Sequence, residues 1–405
     1  MADAAALADV KVLDLMWAIA GPAATRVLAD YGATVVRVET SKRTDICRTL
    51  TPFHELPPGP EGAVLFHNMN AGKLMITLDL TNPEGRSVFL DLVRWADVVA
   101  EAYTPGTMRA LGLDYESLRQ VKPDVIMLST CLMGQTGPLA SFAGFGNLAA
   151  SVTGFGLLCG WPDRPPAGPF GAYTDYIAPR FSAAMILAAL DHHRRTGEGQ
   201  HLDLAQAEAS IHFLAPAILD YTVNGRVQTA SGNDDPEAVP HGVYPAVGDE
   251  RWLAITERND TEFAALCDLI GHAELLHDRR FVNADARRRH RDELDVILTT
   301  WTRTHDAHVA ETLLQEAGVP ASVAASSRDL CDDPQLAHRE HVRHLEHPTY
   351  GTTPVEGSRF RLSRTPAAIG GAAPTLGRDN QYVLETILGY DEERITELVI
   401  AGALE

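Results

Sequence analysis

The sequence predicts an α/β protein: a large domain on a mostly parallel sheet, plus a smaller α+β domain inserted before the chain returns. Three observations carry this. Strand-like apolar runs alternate with helix-like stretches through the first third of the chain. A segment rich in Gly, Pro and aromatic residues then leads into a long helix. Past residue 226 the rhythm changes to a hairpin followed by helices.

In order, "VKVLDL" (10–15) reads as a buried strand. "GPAATRVLADYG" (21–32) follows as a helix, with Pro22 in the first turn and Gly32 at its C-terminal end. Its Ala24, Val27, Leu28 and Tyr31 share one face. "TVVRVE" (34–39) is the second strand and "LMITLDL" (74–80) the third. A helix entered at Asn82-Pro83 leads to strands "DVVAEA" (97–102) and "DVIMLST" (124–130). Residues 139–170 read as loops around a site. Residues 181–196 read as a helix whose last turn, "DHHRR", suits the helix dipole. "QHLDLAQAEA" restarts strand then helix, and 226–235 reads as a linker. "HGVYPAVGDERWLAI" is a hairpin turning at Gly248-Asp249, with helices to about 326. The tail, "PTLGRDNQYVLETILGY", returns to the first domain. The expected domains are therefore 1–225 with 327–405, and 226–326.

The chain carries 54 acidic against 34 basic residues, a formal charge of −20, which disfavours nucleic acid and anionic membrane as partners. An anionic ligand must then find local basic groups or backbone amides. Five cysteines without CxxC spacing fit a reducing cytoplasm rather than a disulfide or zinc framework. The start lacks a signal-peptide pattern, and no apolar run is long enough to span a bilayer. A cytoplasmic protein is expected.

Glu39 ends the second strand where an acidic residue could hold a ribose, but the preceding loop, "MWAIAGPAA", lacks G-x-G-x-x-G. NAD binding is disfavoured. His338, His341 and His344 in "HREHVRH" could share a helix face and ligate a metal, yet Arg339, Glu340 and Arg343 interleave them as on a solvated surface. No metal is expected. Asp175, in "GAYTDYIAPR", is one carboxylate in an otherwise uncharged turn, and the residues alone read it as a surface-turn group or as an N-cap of a helix over 176–196.

The stretches "GPAATRVLADYGATVVRVE", "NAGKLMITLDL", "ADVVAEAYTPGTMRALGLDYESL", "PDVIMLSTCLMGQTGP", "RRTGEGQHLDLAQAEA", "GNDDPEAVPHGVYP" and the tail together resemble the family III CoA-transferases (the CaiB/BaiF family). "GWPDRPPAGPFGAYTDY" looks most like the benzylsuccinate CoA-transferase subgroup. The resemblance implies a Rossmann-like CoA-binding domain, an interlocked homodimer and acyl-CoA and carboxylic acids as substrates. A paralogous second subunit is the alternative partner. The family's catalytic aspartate falls on Asp175, which would attack a thioester and carry CoA as an aspartyl thioester. Covalent catalysis of this kind conserves the activated bond while acids exchange, provided water is kept out.

The same resemblance puts Ala18, Ile19 and Ala20 against adenine and diphosphate, Lys73 on a phosphate, and Ala102 and Tyr103 beside them. The arginine of the "PG…LG" turn is displaced to Arg109, with Ala110 in its place, and Thr40 follows Glu39 where a basic residue is usual. Arg37, Lys42, Arg43 and Arg48 are the nearby substitutes. Two other readings compete. Racemases of the superfamily need a histidine that would fall at Phe145-Gly146, and phenylalanine moves no proton. A noncatalytic paralogous subunit would not need Asp175. Phe142, Phe145, Phe155, Trp161 and Phe170, with Asp163 and Arg164, suggest a pocket for an aromatic acid. Succinyl-CoA as donor and an arylsuccinate-like acceptor are expected.

Overall fold

A computed structural model describes residues 5–55 and 59–405. Six parallel strands form the main sheet: β1 (Lys11–Leu15), β2 (Thr34–Glu39), β3 (Leu74–Thr77), β4 (Val98–Glu101), β5 (Ile126–Cys131) and β6 (His201–Ala205). Their order is β3-β2-β1-β4-β5-β6. Apolar side chains leave these strands on both faces, which is why they read as near-continuous hydrophobic runs. On one face Leu13, Val36, Val99 and Met127 pack with Phe89 and Leu92 of α3 (Pro83–Trp95). On the other, Val12, Val35, Val98 and Leu128 meet Leu28 of α1 (Ala20–Asp30) and Ile186 and Leu190 of a long helix described below. Helix α2 (Val64–Asn70) precedes β3, and α4 (Thr107–Ala110) and α5 (Tyr115–Val121) connect β4 to β5.

The 139–170 stretch is less irregular than expected. It holds α6 (Gly146–Val152) and α7 (Phe155–Leu158). The long helix α8 runs Tyr173–Thr196, so it starts well before 181 and encloses Pro179. A proline there removes the i→i−4 hydrogen bond that the Asp175 carbonyl would otherwise accept. Helices α9 (Gln206–Ile211) and α10 (Ala215–Asn224) follow β6.

The chain folds into two compact units: Met1–Gly156, Gly168–Val227 and Gln335–Glu405 form one, Leu157–Ala167 and Gln228–Pro334 the other. The segment 157–167, expected among the loops of the larger domain, packs with the smaller unit. That unit carries an antiparallel sheet of β7 (His241–Pro245), β8 (Trp252–Thr256) and β9 (Ala321–Val323). Helices α11 (Asp260–Leu269), α12 (Ala284–Arg289), α13 (Arg291–Thr302) and α14 (Ala307–Glu316) lie with it, over a core containing Phe263, Leu266, Leu294 and Leu314.

The tail returns to the first unit. β10 (Val342–His347) and β11 (Gly351–Glu356) form a hairpin. His338 ends a short helix while His344 lies on β10, so the three histidines share no helix face. Farther on, Asp379 Oδ2 accepts the Met75 N–H at 2.8 Å and Asn380 Oδ1 accepts the Thr77 N–H at 2.9 Å. β3 is an edge strand, and tail side chains occupy its outer hydrogen-bonding side. Among the described residues no helix is long and apolar enough to cross a membrane.

Candidate active site

A sheet ordered this way reverses its winding between β1 and β4, and the crevice at the carboxyl ends of those two strands is where such folds take ligands. The loop after β1 bends sharply. Ala18 has φ +60°, unusual for a residue with a Cβ, and donates its N–H to Asp45 Oδ1 at 2.9 Å. Ile19 is buried beside Phe66 and Met75. Ala20 opens α1, and no side chain caps that helix, so its first N–H groups face the crevice. Across the gap, the Tyr103 N–H donates to Glu101 Oε2 at 2.7 Å, fixing the turn that holds Ala102 and Tyr103. Burial pushes Glu101 up to about 7. The Tyr103 ring meets Trp17 edge-on at 6.1 Å. Segments 18–20 and 102–103 thus follow the carboxyl ends of two neighbouring strands.

The basic residues divide differently. Lys73 is fully buried, and its Nζ donates to Asp14 Oδ2 at 2.8 Å, Pro22 O at 3.0 Å and Asn70 Oδ1 at 3.0 Å. An ammonium has three donors, so none is left for a phosphate; the expected contact is corrected to a structural role beneath α1. Burial holds Lys73 down at about 8. Arg37 and Arg48 are buried against Asp45, Glu39 and Glu61, and Lys42 pairs with Asp79 and Glu405. Glu39, thus engaged, has no oxygen to offer a ribose. Arg109 points outward on α4, paired with Asp114 at 3.2 Å. Arg43 alone of this group makes no ion pair or side-chain hydrogen bond among the described residues. Its guanidinium lies 5.2 Å from the Trp17 ring, at the crevice mouth. Sequence reading passed over Trp17 and did not separate Arg43 from its neighbours.

These contacts carry a prediction. Lys73→Met strands Asp14 as a buried, unpaired charge, which costs about 3–5 kcal/mol. Chemical denaturation should show that loss, whereas a phosphate ligand would have changed CoA affinity with little change in stability.

Asp175 lies in the first turn of α8, with only 5% of its surface exposed. The N-cap is Ala172, whose carbonyl accepts the Asp175 N–H at 2.9 Å, so the capping role is excluded. Gln206, the first residue of α9, donates from Nε2 to Asp175 Oδ1, and the backbone of Gly146 at the start of α6 lies against the carboxylate. Burial raises the Asp175 pKa to about 6, with the Gln206 hydrogen bond opposing it. The result is a carboxylate ionised at neutral pH yet poorly solvated, which is what a nucleophilic oxygen requires. Gln206 was not singled out in the sequence. A polar residue just beyond the carboxyl end of a buried parallel strand was the available signal.

The aromatic residues of 139–170 are divided between the two units. Phe155 is buried and meets Tyr173 edge-on at 5.5 Å. Trp161, Asp163 and Arg164 belong to the second unit, with the Arg164 guanidinium 5.7 Å from the Trp161 ring. Phe170 is fully exposed, and Phe145 is 65% exposed.

A sequence model described as CoA-transferase family III matches residues 7–380. The chain is 33% identical over 393 residues to the succinyl-CoA–D-citramalate CoA-transferase of Chloroflexus aurantiacus, covering 97% of this chain and 96% of that one. It is 34% identical over 380 residues to the succinate–glutarate CoA-transferase of Agrobacterium fabrum, covering 93% and 94%. A crystal structure of a CaiB/BaiF family protein from Brucella suis superposes with a TM-score of 0.88 at 31% identity, covering 95% of this chain and all of that one.

Proposed function

Because this chain belongs to CoA-transferase family III, we propose that it moves CoA between carboxylic acids by covalent catalysis at Asp175. The observation that carries the reading is the buried carboxylate held at one oxygen by Gln206. Asp175 attacks the acyl-CoA carbonyl, the C–S bond breaks, and a mixed anhydride and CoA thiolate form. The thiolate attacks Asp175 Cγ and expels the first acid, leaving an aspartyl-CoA thioester. The acceptor carboxylate then reverses the sequence. CoA's adenine and diphosphate would lie over Ala18, Ile19 and Ala20 at the α1 N-terminus. Ala102 and Tyr103 form the opposite wall, and Arg43 is the free cation for a phosphate. The racemase reading has little support, since the side chain on Asp175 is the Gln206 amide, which does not exchange protons readily.

For substrates we infer succinyl-CoA and a short dicarboxylic acid, in line with the names of the relatives above. An arylsuccinate is the bulkiest member of that class. The working unit in this reading is an interlocked homodimer: Leu219, Tyr221 and Val223 on α10 are each more than half exposed, an apolar surface a second chain would cover.

A mass-spectrometric screen tests this. Succinyl-CoA, acetyl-CoA and formyl-CoA are each offered with succinate, glutarate, citramalate, benzylsuccinate, formate and acetate. We expect ping-pong kinetics and fastest exchange between succinyl-CoA and a dicarboxylate. Preference for formate or acetate would remove the dicarboxylate reading and leave the transferase chemistry intact.

A further inference from the structure

We propose that Gln206 is the oxyanion donor for every step that takes place at Asp175 Cγ. The inference rests on Asp175 being the nucleophile. In most acyl-transfer sites the hole that receives developing charge is empty until substrate arrives. Here the acyl group is for a time the enzyme's own, so a resting carboxylate oxygen already occupies the position.

The atom accounting identifies that oxygen. One oxygen of Asp175 forms the bond to the acyl carbon and leaves with the first acid when CoA thiolate attacks Cγ. The other remains on Cγ throughout. It is the carbonyl oxygen of the anhydride, carries the negative charge of the tetrahedral adduct as the C–S bond forms, and becomes the thioester carbonyl as the carboxylate departs. When the acceptor carboxylate attacks Cγ the same oxygen is charged again, until CoA thiolate is expelled. Gln206 Nε2 donates to Oδ1, and no side chain among the described residues donates to Oδ2. Oδ1 is therefore the retained oxygen and Oδ2 the attacking one.

The surrounding hydrogen bonds fix the Gln206 amide in the donating orientation. The buried Thr174 hydroxyl spends its proton on the Gly146 carbonyl at 3.1 Å. It can then only accept, and it does so from Gln206 Nε2 at 3.0 Å. Both Gln206 N–H bonds are thereby assigned, one to Thr174 and one to Asp175. A flipped amide would set its carbonyl against a hydroxyl with no proton to give and against a carboxylate. Such an array is preorganised, so it needs no rearrangement as charge develops.

The test uses the full chain with succinyl-CoA and acetyl-CoA as probes, following the covalent CoA adduct by rapid-quench intact-mass spectrometry. Gln206→Met keeps the side-chain length without a donor. It should slow adduct formation and kcat by about 10²–10³-fold with KM for acyl-CoA changed little. Gln206→Glu supplies the variant a structural role would not explain. The introduced carboxyl, beside Asp175, has a raised pKa and regains a donor when protonated, so its deficit relative to wild type should shrink as pH falls. Absence of any adduct in the wild type would sink the Asp175 reading. An adduct forming at the wild-type rate in Gln206→Met would overturn the Gln206 role alone. So would a Gln206→Glu deficit independent of pH.

Discussion

Replacing Asp175 with alanine is expected to lower turnover by roughly 10⁴-fold or more while acyl-CoA still binds, because the crevice between β1 and β4 is untouched. Hydroxylamine should inactivate the wild-type enzyme only when acyl-CoA is present, by attacking the thioester at Asp175, and should leave the variant unmodified. The pH dependence follows from the raised pKa. Only the anion attacks, so kcat/KM should be level above about pH 6 and fall as pH drops through that value. Stability runs the other way. The folded-state pKa of about 6 lies above the ordinary range near 4, so the fold favours the neutral acid and loses stability as pH rises from about 4 through 6. Asp175→Asn removes that burden. Above pH 7 it should be more stable than wild type by roughly 2–3 kcal/mol, and thermal melts at pH 5 and pH 8 would measure the difference. A variant that turns over normally as alanine would end the covalent mechanism.

Gly146→Ala should damage activity far more than it damages the fold. A Cβ there would lie 2.7 Å from both Cγ and Oδ1 of Asp175 and 2.9 Å from the Ala172 Cβ. The carboxylate must move, and a displacement of about 1 Å in a reacting group can cost 10²-fold. Gly146 is the first residue of α6, and Gly→Ala in a helix typically gains up to about 1 kcal/mol. That gain offsets part of an overpacking cost of about 1–3 kcal/mol, so turnover should drop by about 10²-fold while the melting temperature falls by no more than a few degrees. A melting temperature that falls in step with activity would instead mean that the helix, and not the nucleophile, had been displaced.

Much of this arrangement was legible in the sequence, for reasons particular residues make plain. The strands announced themselves because both sheet faces are buried, and Asn82-Pro83 marked the start of α3 with its own cap: Asn82 Oδ1 accepts the Glu84 N–H at 2.9 Å. Asp175 stood out as a lone carboxylate among uncharged neighbours. The third strand was drawn too long, to residue 80, because Leu78 looks like strand. In the fold the Asp79 N–H donates to the carbonyl of Ala403, a partner more than 300 residues away. Lys73 was misread because a lysine ahead of a strand looks the same whether it meets a phosphate or an aspartate. Its three acceptors come from β1, α1 and α2, and no local pattern assembles them. Gln206 escaped notice because its partner lies 31 residues earlier and meets it only once β6 is in place.

The pairing of Met75 and Thr77 with Asp379 and Asn380, separated by 304 and 303 positions, bears on how the chain is made. On the ribosome the six strands are all available once residue 205 has emerged, but the outer side of β3 stays open until residues 379 and 380 have followed. An unpaired edge of that kind is a template for another strand. Two neighbouring nascent chains on one messenger would present the same bare edge to each other. A segment translated some 300 residues after β3 is thus the one that closes the sheet against its own copies.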